Sequence, residues 1–276
     1  MQKFKTYLIA VVAFLLAMPV CAATKTQKVI TGAEQTKAYL KQLKGKRVAL
    51  FSNQTGVVGN KHLLDVLLEN KVNVVTIFSP EHGFRGKADA GEKVSSSIDE
   101  QTGVPIYSLY GVKGGAPDDA EMQKFDVLLS DIQDVGLRFY TYYITMQRLM
   151  DRCAEFGKKM IVLDRPNPLG GEKVEGCLTE DDCISFVSQF KIPYVYGLTP
   201  GEVALLLNGE NMLGKKCDLE VIKMKGWKRR MTYEDTGLQW VLPSPHIPHA
   251  SSAPYYSMSG IVGELDSISI GVGYTL

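Results

Sequence analysis

The segment best suited to chemistry lies at residues 79–86, where an acid, an imidazole and a guanidinium occur together as Glu81, His82 and Arg85. It follows the apolar run 74–78, which predicts a buried parallel strand. The proline after this run cannot donate to a sheet ladder, and the glycines beyond it allow a sharp turn. The three side chains are therefore expected at the carboxyl end of a strand, where open α/β sheets bind ligands.

Four further apolar segments end in polar side chains in the same way. They predict strands at 46–53, 104–110, 125–132 and 159–166, separated by segments with helical spacing. This alternation predicts an α/β fold, with a Rossmann-like, mostly parallel sheet flanked by helices. The polar residues at these strand ends are Asn53, Tyr110, Asp131, Gln133, Asp134, Arg138, Asp164, Arg165 and Asn167. Because parallel strands end at one edge of the sheet, the whole set can converge in one crevice.

A crevice with several carboxylates suits acid/base cleavage of a glycosidic bond. One carboxyl group protonates the leaving group, and another group stabilises positive charge or activates water. Each acid also has a structural alternative, as a helix cap or as the partner of an arginine. Asp164 and Arg165 can form a local ion pair, and Asp131 and Asp134 can steer Arg138. Glu81 is the strongest catalytic candidate, because glycines surround it and no helix start follows directly.

Composition and motifs exclude several other functions. The 276 residues are 45% hydrophobic and 22% charged with a net charge of +1, so nothing indicates a nucleic-acid partner. No dinucleotide fingerprint follows the first strand, and no serine-hydrolase elbow is present. Pro248 separates His246 from His249 and Pro245 precedes them, which does not favour a metal site, and no cysteine spacing suggests zinc. We therefore predict neither a metal nor another cofactor.

The first residues have the layout of a secretory signal peptide. Lys3 and Lys5 precede an apolar run at 7–20, and small residues follow near position 22. This run is too short to predict a transmembrane span, so we expect a periplasmic or secreted protein. Cys21 raises the alternative of a lipid anchor. Farther along the chain, Cys177 and Cys183 flank a short acidic segment, for which one local disulfide or none is expected.

Several motifs resemble the DUF1343 family, which includes the exo-β-N-acetylmuramidases of the NamZ type. The runs are FSPEHGFRG at 78–86, SLYG at 108–111, DIQDVGLRFYTY at 131–142, LDRPNP at 163–168, YGLTPGE at 196–202 and PSP at 243–245. The resemblance implies a Rossmann-like catalytic domain, followed by a smaller auxiliary domain. It also implies release of N-acetylmuramic acid from the non-reducing end of peptidoglycan fragments.

The resemblance also suggests individual roles. Glu81 would be the catalytic acid, with Tyr110, Asp131, Gln133, Arg138 and Tyr140 lining the pocket. An arginine suits the lactyl carboxylate of muramic acid, and Arg85, Arg138 and Arg165 remain equal candidates. With the strand-end set, this gives Glu81, His82 and Asp131 as predicted catalytic residues. The predicted substrate-binding residues are Asn53, Arg85, Tyr110, Gln133, Asp134, Arg138, Tyr140, Asp164, Arg165, Asn167, His246 and Glu264.

The sequence departs from the family pattern toward its end. Relatives usually carry asparagine after PSP, where this chain has His246. The EGTN and GRGT segments expected farther along correspond to ELDS at 264–267 and GVGYT at 271–275.

The sequence as a whole predicts three parts. We expect a signal peptide at 1–22, a catalytic domain at 23–245 and a shortened auxiliary region at 246–276. The expected partners are saccharides or muropeptides derived from peptidoglycan. Two alternatives stay open: a non-catalytic protein that binds muropeptides or sugars, and a glycosidase of the same scaffold for another amino sugar or acidic glycan.

Overall fold

The computed structural model describes residues 28–86, 95–110 and 115–263. The predicted signal peptide, Cys21 and Glu264 lie outside the described residues, as does the part of the predicted auxiliary region beyond residue 263. Over the described part of the chain, no helix has both the length and the apolar character needed to cross a membrane.

A mostly parallel sheet forms the centre of the molecule. Its strands and one short separate hairpin (β2 and β3) are β1 Arg47–Ser52, β2 Val57–Val58, β3 Lys61–His62, β4 Asn73–Ser79, β5 Ser97–Ile98, β6 Pro105–Ser108, β7 Val127–Asp131, β8 Lys159–Leu163 and β9 Asp218–Ile222. Within the described ranges, seven strands form the sheet in the order β5-β6-β4-β1-β7-β8-β9. All neighbours in it are parallel except the short antiparallel pair β5 and β6. The predicted α/β, Rossmann-like fold is confirmed.

The strand order fixes where a crevice forms. From β1 the chain moves outward to β4 and β6, and then returns to β7, β8 and β9 on the other side. The point where the order reverses, next to β1, is where open α/β sheets bind ligands at the carboxyl ends of the strands. The segments that follow β4 and β7 therefore flank the expected site.

Helices cover both faces of the sheet. They are α1 Thr36–Leu43, α2 Leu63–Glu69, α3 Asp119–Gln123, α4 Thr141–Glu155, α5 Pro200–Gly209 and α6 Ser252–Gly263. Alternate residues of β1 belong to different core clusters: Val48 and Leu50 pack with side chains of α1 and α2, whereas Ala49 and Phe51 pack with side chains of α4 and α5. Burial on both faces explains why the strands are continuous apolar runs.

Two helix boundaries near the site follow from local chemistry. The α5 helix begins with Pro200 after a capping box formed by Thr199 and Glu202, as its sequence predicts. The α4 helix begins directly after Tyr140, and the chain turns beyond its end at Gly157 with a φ of 61°.

The predicted loop around residues 240–249 contains no regular helix or strand. Ile247 in this loop belongs to the core cluster on the α4 side of the sheet. The domain boundary after residue 245 stays a prediction.

Candidate active site

A cavity of about 180 Å³ lies beyond the carboxyl end of β4. Its walls come from the turn after β4, from the first turn of α4, from the loop around residue 245 and from α6. The lining residues are Glu81, His82, Phe139, Tyr140, Thr141, Tyr142, Ser244, His246, Ile247 and Tyr256. Four residues predicted for the site thus meet here: Glu81, His82, Tyr140 and His246.

Glu81 is the acid of this cavity. Thr141 Oγ1 donates a hydrogen bond to Glu81 Oε2 at 3.3 Å. Thr141 is the first residue of α4, so the carboxylate lies at the positive end of the helix dipole, which stabilises negative charge. Tyr110 is a second neighbour: burial raises the pKa of its hydroxyl, and the adjacent Glu81 raises it further.

The turn that contains Glu81 includes residues in the left-handed backbone conformation. His82 has a φ of 70° although it is not glycine, and it keeps only 5% of its surface exposed. Gly86 has a φ of 66°, and a Cβ added to it would lie 2.3 Å from Gln54 Cδ. Left-handed conformations in a non-glycine residue are costly and often occur at functional sites. The surrounding packing holds this turn in one shape.

Aromatic side chains form one wall of the cavity. Tyr140 and Tyr142 pack edge to face with centroids 4.8 Å apart, and Phe139 contacts Tyr256 of α6 in the same manner at 5.0 Å. Behind this wall, Phe139 stacks on Tyr194 at 5.4 Å. Aromatic rings that combine an apolar face with a polar hydroxyl suit a ligand with both C–H surface and hydroxyl groups, as sugars have.

The strand-end acids of β7 and β8 have a different environment. Arg165 binds Asp131 through two hydrogen bonds, from Nε at 2.6 Å and from Nη2 at 2.8 Å. Their side chains are 4% and 0% exposed, respectively. Arg165 Nη2 also donates to the carbonyl oxygen of Val57 at 3.0 Å. Asp131 therefore lies in a buried bidentate ion pair and does not line the cavity.

Asp134 and Asp164 are also buried and bound by the protein. Burial raises the pKa of each carboxyl group to about 6, and hydrogen bonds to each oppose part of this effect. Asp134 Oδ1 accepts from the Tyr196 hydroxyl at 2.5 Å and from the Gly136 amide at 2.8 Å. Asp164 accepts from the Thr199 hydroxyl at 3.0 Å and from the Gly201 amide at 2.8 Å, at the beginning of α5.

The contacts of the arginines contradict two structural alternatives that the sequence left open, namely that Asp131 and Asp134 steer Arg138 and that Asp164 pairs with its neighbour Arg165. Asp131 binds Arg165, and Arg138 instead donates to the carbonyl oxygens of Cys177 at 2.6 Å and Ile192 at 2.8 Å. Asp131 and Asp134 therefore do not steer Arg138. Asp164 contacts Arg165 through the backbone amide at 3.1 Å, and the alternative of a side-chain ion pair between these neighbours is not found in the described structure. The reason is geometric, because the Arg165 guanidinium extends across to β7.

The other predicted binding residues hold the loops beneath the sheet edge. Asn53 Oδ1 accepts from the Thr55 hydroxyl at 2.6 Å. Gln133 Nε2 donates to the carbonyl oxygen of Pro166 at 2.7 Å, and Asn167 Nδ2 donates to that of Leu198 at 2.9 Å. Their predicted roles in substrate binding stay predictions.

Arg85 lies on a neighbouring cleft of about 330 Å³, which shares His82 with the cavity. Its Nε and Nη2 atoms bind the two carboxylate oxygens of Asp99 at 3.0 Å and 2.8 Å. Arg85 is therefore not one of the residues that line the cavity.

Sequence reasoning missed several lining residues. Thr141 and Tyr142 stand at the end of the motif at 131–142, and Ser244 is the centre of the PSP motif, so a signal for these three was present. Tyr256 lies on α6, where apolar side chains occur on all faces and no periodic pattern marks the residue that faces the cavity.

Metal ligands and disulfides do not contribute within the described structure. Among the described residues, no group of three or more His, Cys, Asp or Glu side chains could hold a metal ion. Cys153 and Cys217 are buried thiols, and Cys177 and Cys183 are exposed thiols. The expectation of one local disulfide or none between Cys177 and Cys183 stays a prediction.

Comparison with known proteins gives consistent matches. The model of a family described as exo-β-N-acetylmuramidase NamZ, N-terminal, matches residues 48–251. A relative from Bacillus subtilis (strain 168), named peptidoglycan β-N-acetylmuramidase NamZ, is 47% identical over 254 residues, which cover 91% of this chain and 60% of the relative.

Two crystal structures of DUF1343 family proteins from Bacteroides fragilis NCTC 9343 also match. The first has 54% identity and a TM-score of 0.83, and the match covers 90% of this chain and 63% of the other. The second has 51% identity and a TM-score of 0.74, covering 84% of this chain and 60% of the other. The chain therefore spans about 60% of the length of the relatives that it matches.

Proposed function

Because the chain belongs to the NamZ family of exo-β-N-acetylmuramidases, we propose that it is an exo-acting glycoside hydrolase that releases N-acetylmuramic acid from the non-reducing end of peptidoglycan fragments. The activity is carried over from relatives that are longer than this chain, so it is a proposal for the residues present here. The single observation that supports it best is the position of Glu81. Its carboxylate lines an aromatic-walled cavity at the sheet edge and accepts a hydrogen bond from Thr141.

In the proposed reaction, Glu81 is the general acid. Its protonated carboxyl group donates to the glycosidic oxygen as the bond to the anomeric carbon breaks. The carboxylate that remains is stabilised by the Thr141 hydroxyl and by the N-terminus of α4. A second group must activate the water that attacks the anomeric carbon or stabilise the positive charge on the sugar ring, and we assign this role to the lining side chains of His82 and the tyrosines.

We assign Asp131 a positioning role. Both of its carboxylate oxygens bind the Arg165 guanidinium, and it lies away from the cavity. In this arrangement Asp131 connects the end of β7 to the loop after β8. The ion pair thus holds the carboxyl edge of the sheet, next to which the cavity lies, in one position. It would influence the reaction through the shape of the sheet edge.

We further propose that the protein is exported and acts outside the cytoplasm, where peptidoglycan fragments are found, in the recycling of the cell wall. The supporting feature is the signal-peptide layout of residues 1–22. Mass spectrometry of the mature protein tests this proposal: a new N-terminus near residue 22 supports cleavage, a lipid on Cys21 supports the anchored alternative, and an intact leader contradicts export by this route.

Hydrolysis of a chromogenic β-N-acetylmuramide tests the catalytic proposal. We expect Glu81→Gln to lower kcat by roughly 10²–10⁴-fold, the usual contribution of a general acid. The matched control is Glu210→Gln, since Glu210 is an exposed glutamate at the end of α5 and is not among the cavity residues. Thr141→Val should lower kcat by a smaller factor, because only one hydrogen bond to the carboxylate is lost.

The alternatives give different results in the same assay. Full turnover in Glu81→Gln would place the proton donor elsewhere. Absence of turnover in both proteins, together with binding of N-acetylmuramic acid, would favour a sugar-binding protein. Turnover of a different amino sugar alone would favour a glycosidase of the same scaffold with another specificity.

A further inference from the structure

The substrate proposed above carries a charge that the cavity must recognise. N-acetylmuramic acid differs from N-acetylglucosamine by a lactyl ether, whose carboxylate is negative at neutral pH. A site that prefers the acidic sugar therefore needs a hydrogen-bond donor or a cation directed at this group. The inference that follows rests on the proposed function and asks which residue supplies the donor.

The three arginines that the sequence suggested for this task are engaged elsewhere. Arg165 is buried in its ion pair with Asp131, and Arg138 is bound to two carbonyl oxygens of the segment 177–192. Arg85 binds Asp99 and faces the neighbouring cleft. The described residues that line the cavity include neither an arginine nor a lysine.

Two lining residues carry an imidazole, which donates at least one N–H hydrogen bond in either protonation state. His82 is 5% exposed and is packed within the left-handed turn after Glu81. His246 is partly exposed. Of the two, His246 thus offers the surface that an incoming carboxylate can reach.

The loop that carries His246 is fixed on both sides. Gln54 Nε2 donates to the carbonyl oxygen of Leu242 at 2.7 Å, and the Tyr142 hydroxyl donates to that of Pro243. After the histidine, Trp240 Nε1 donates to the carbonyl oxygen of Ile247 at 3.1 Å. Such anchoring lowers the entropy that a binding side chain loses when a ligand arrives.

We propose that His246, supported by the Ser244 hydroxyl beside it, binds the lactyl carboxylate and makes the cavity selective for N-acetylmuramic acid over N-acetylglucosamine. Both residues line the cavity that contains Glu81, and both belong to the same anchored loop. The charge of the ligand is thereby recognised by this loop, whereas the acid that cleaves the bond comes from the turn after β4.

Equilibrium binding of the two free sugars to the whole chain tests this assignment. His246→Phe keeps a ring but removes the N–H donors. We expect it to lower the affinity for N-acetylmuramic acid by about 10-fold or more, the usual effect of losing a hydrogen bond to a charged group. The affinity for N-acetylglucosamine should stay within about 2-fold, since that sugar has no carboxylate to bind. His246→Gln keeps an N–H donor and should retain part of the affinity.

His249→Phe is the matched control, because His249 is exposed, lies on the same loop and does not line the cavity. An equal loss for both sugars in His246→Phe would indicate general damage to the cavity and would overturn the assignment. An unchanged affinity for N-acetylmuramic acid would do the same, as would an absence of binding by the unaltered chain. Binding that depends on His246 in a chain without hydrolytic activity would reject the proposed enzyme but support the carboxylate site.

Discussion

Two groups of polar side chains end strands of the same sheet, and they have opposite environments. After β4, Glu81 and His82 line a cavity. At the end of β7 and directly after β8, Asp131 and Arg165 bind each other in the interior, and Asp164 binds the beginning of α5. All of them follow buried strands in the sequence, so their positions along the chain do not distinguish them.

The difference comes from the path of the chain beyond each strand. After β4, left-handed residues turn the backbone at once, and the acid is left at the wall of a cavity. After β7 and β8, the chain passes beneath other segments, and the acids there become buried. A buried carboxylate must be bound by donors because an unpaired charge is costly. Counting acids at a sheet edge therefore overestimates the number that are available for catalysis.

The largest effect expected from this comparison is on stability. Asp131→Ala would leave the Arg165 guanidinium buried without its partner, and we expect the free energy of unfolding to fall by about 3–5 kcal/mol. Glu81→Gln should change it by less than about 0.5 kcal/mol, because Glu81 is partly exposed. Urea unfolding followed by circular dichroism measures both values.

A pair at the opposite edge of the sheet provides the control. Arg47 begins β1 and binds Asp126, directly before β7, with similar bidentate geometry, but the two side chains are 46% and 34% exposed. Asp126→Ala should therefore destabilise the protein far less than Asp131→Ala. Equal losses in the two variants would show that burial does not separate the two groups of side chains.

Much of the fold could be predicted from the sequence because buried parallel strands leave a strong local signal. The apolar runs are long, their ends carry prolines, glycines and polar residues, and the capping box of α5 marks a helix start. The sheet order β6-β4-β1-β7-β8-β9 then brings the predicted strand ends to a single edge.

The site was predicted less completely because the direction of a side chain is not a local property. Whether Asp131 faces a ligand or an arginine depends on Arg165, which lies 34 positions away in the sequence. The same holds for Tyr256, which reaches the cavity only because α6 packs beside Phe139. Glu81 and His246, which both line the cavity, were predicted because one belongs to a motif and the other departs from one.

A second test concerns the pH dependence that a buried acid produces. Burial raises the pKa of Asp134 from 3.8 to about 6 in the folded protein, and Oδ2 has no hydrogen-bond partner among the described residues. Between these pH values the folded state binds more protons than the unfolded state, so stability falls as pH rises. With about 1.4 kcal/mol for each pKa unit, this acid lowers the free energy of unfolding by about 2 kcal/mol between pH 4 and pH 7, because part of the effect already lies below pH 4.

Asp134→Asn removes this titration and keeps an oxygen that can accept from Tyr196 and Gly136. The stability of the variant relative to the unaltered protein should therefore increase from pH 4 to pH 7 by that amount, as measured by urea unfolding at several pH values. Asp182→Asn, at an exposed aspartate, is the control and should give no such trend. If the difference in unfolding free energy between Asp134→Asn and the unaltered protein did not change with pH, burial would not raise the pKa of Asp134.

The smallest effect in this series is expected at Thr199, which connects the acid after β8 to α5. Its hydroxyl accepts from the Glu202 amide at 3.2 Å and donates to Asp164 Oδ2 at 3.0 Å. Thr199→Ala should lower the free energy of unfolding by about 1–2 kcal/mol, the upper part of the range for an N-cap, because a buried carboxylate also loses a donor. Thr199→Ser keeps the hydroxyl and should retain most of this stability. Thr232→Ala is the control, since it removes an exposed hydroxyl that accepts from the backbone amide of Asp235 at 3.4 Å, and it should have less effect. If Thr199→Ala were no more destabilising than Thr232→Ala, Asp164 would not depend on α5 for its donors, and the interior acids would be less tightly bound than this comparison requires.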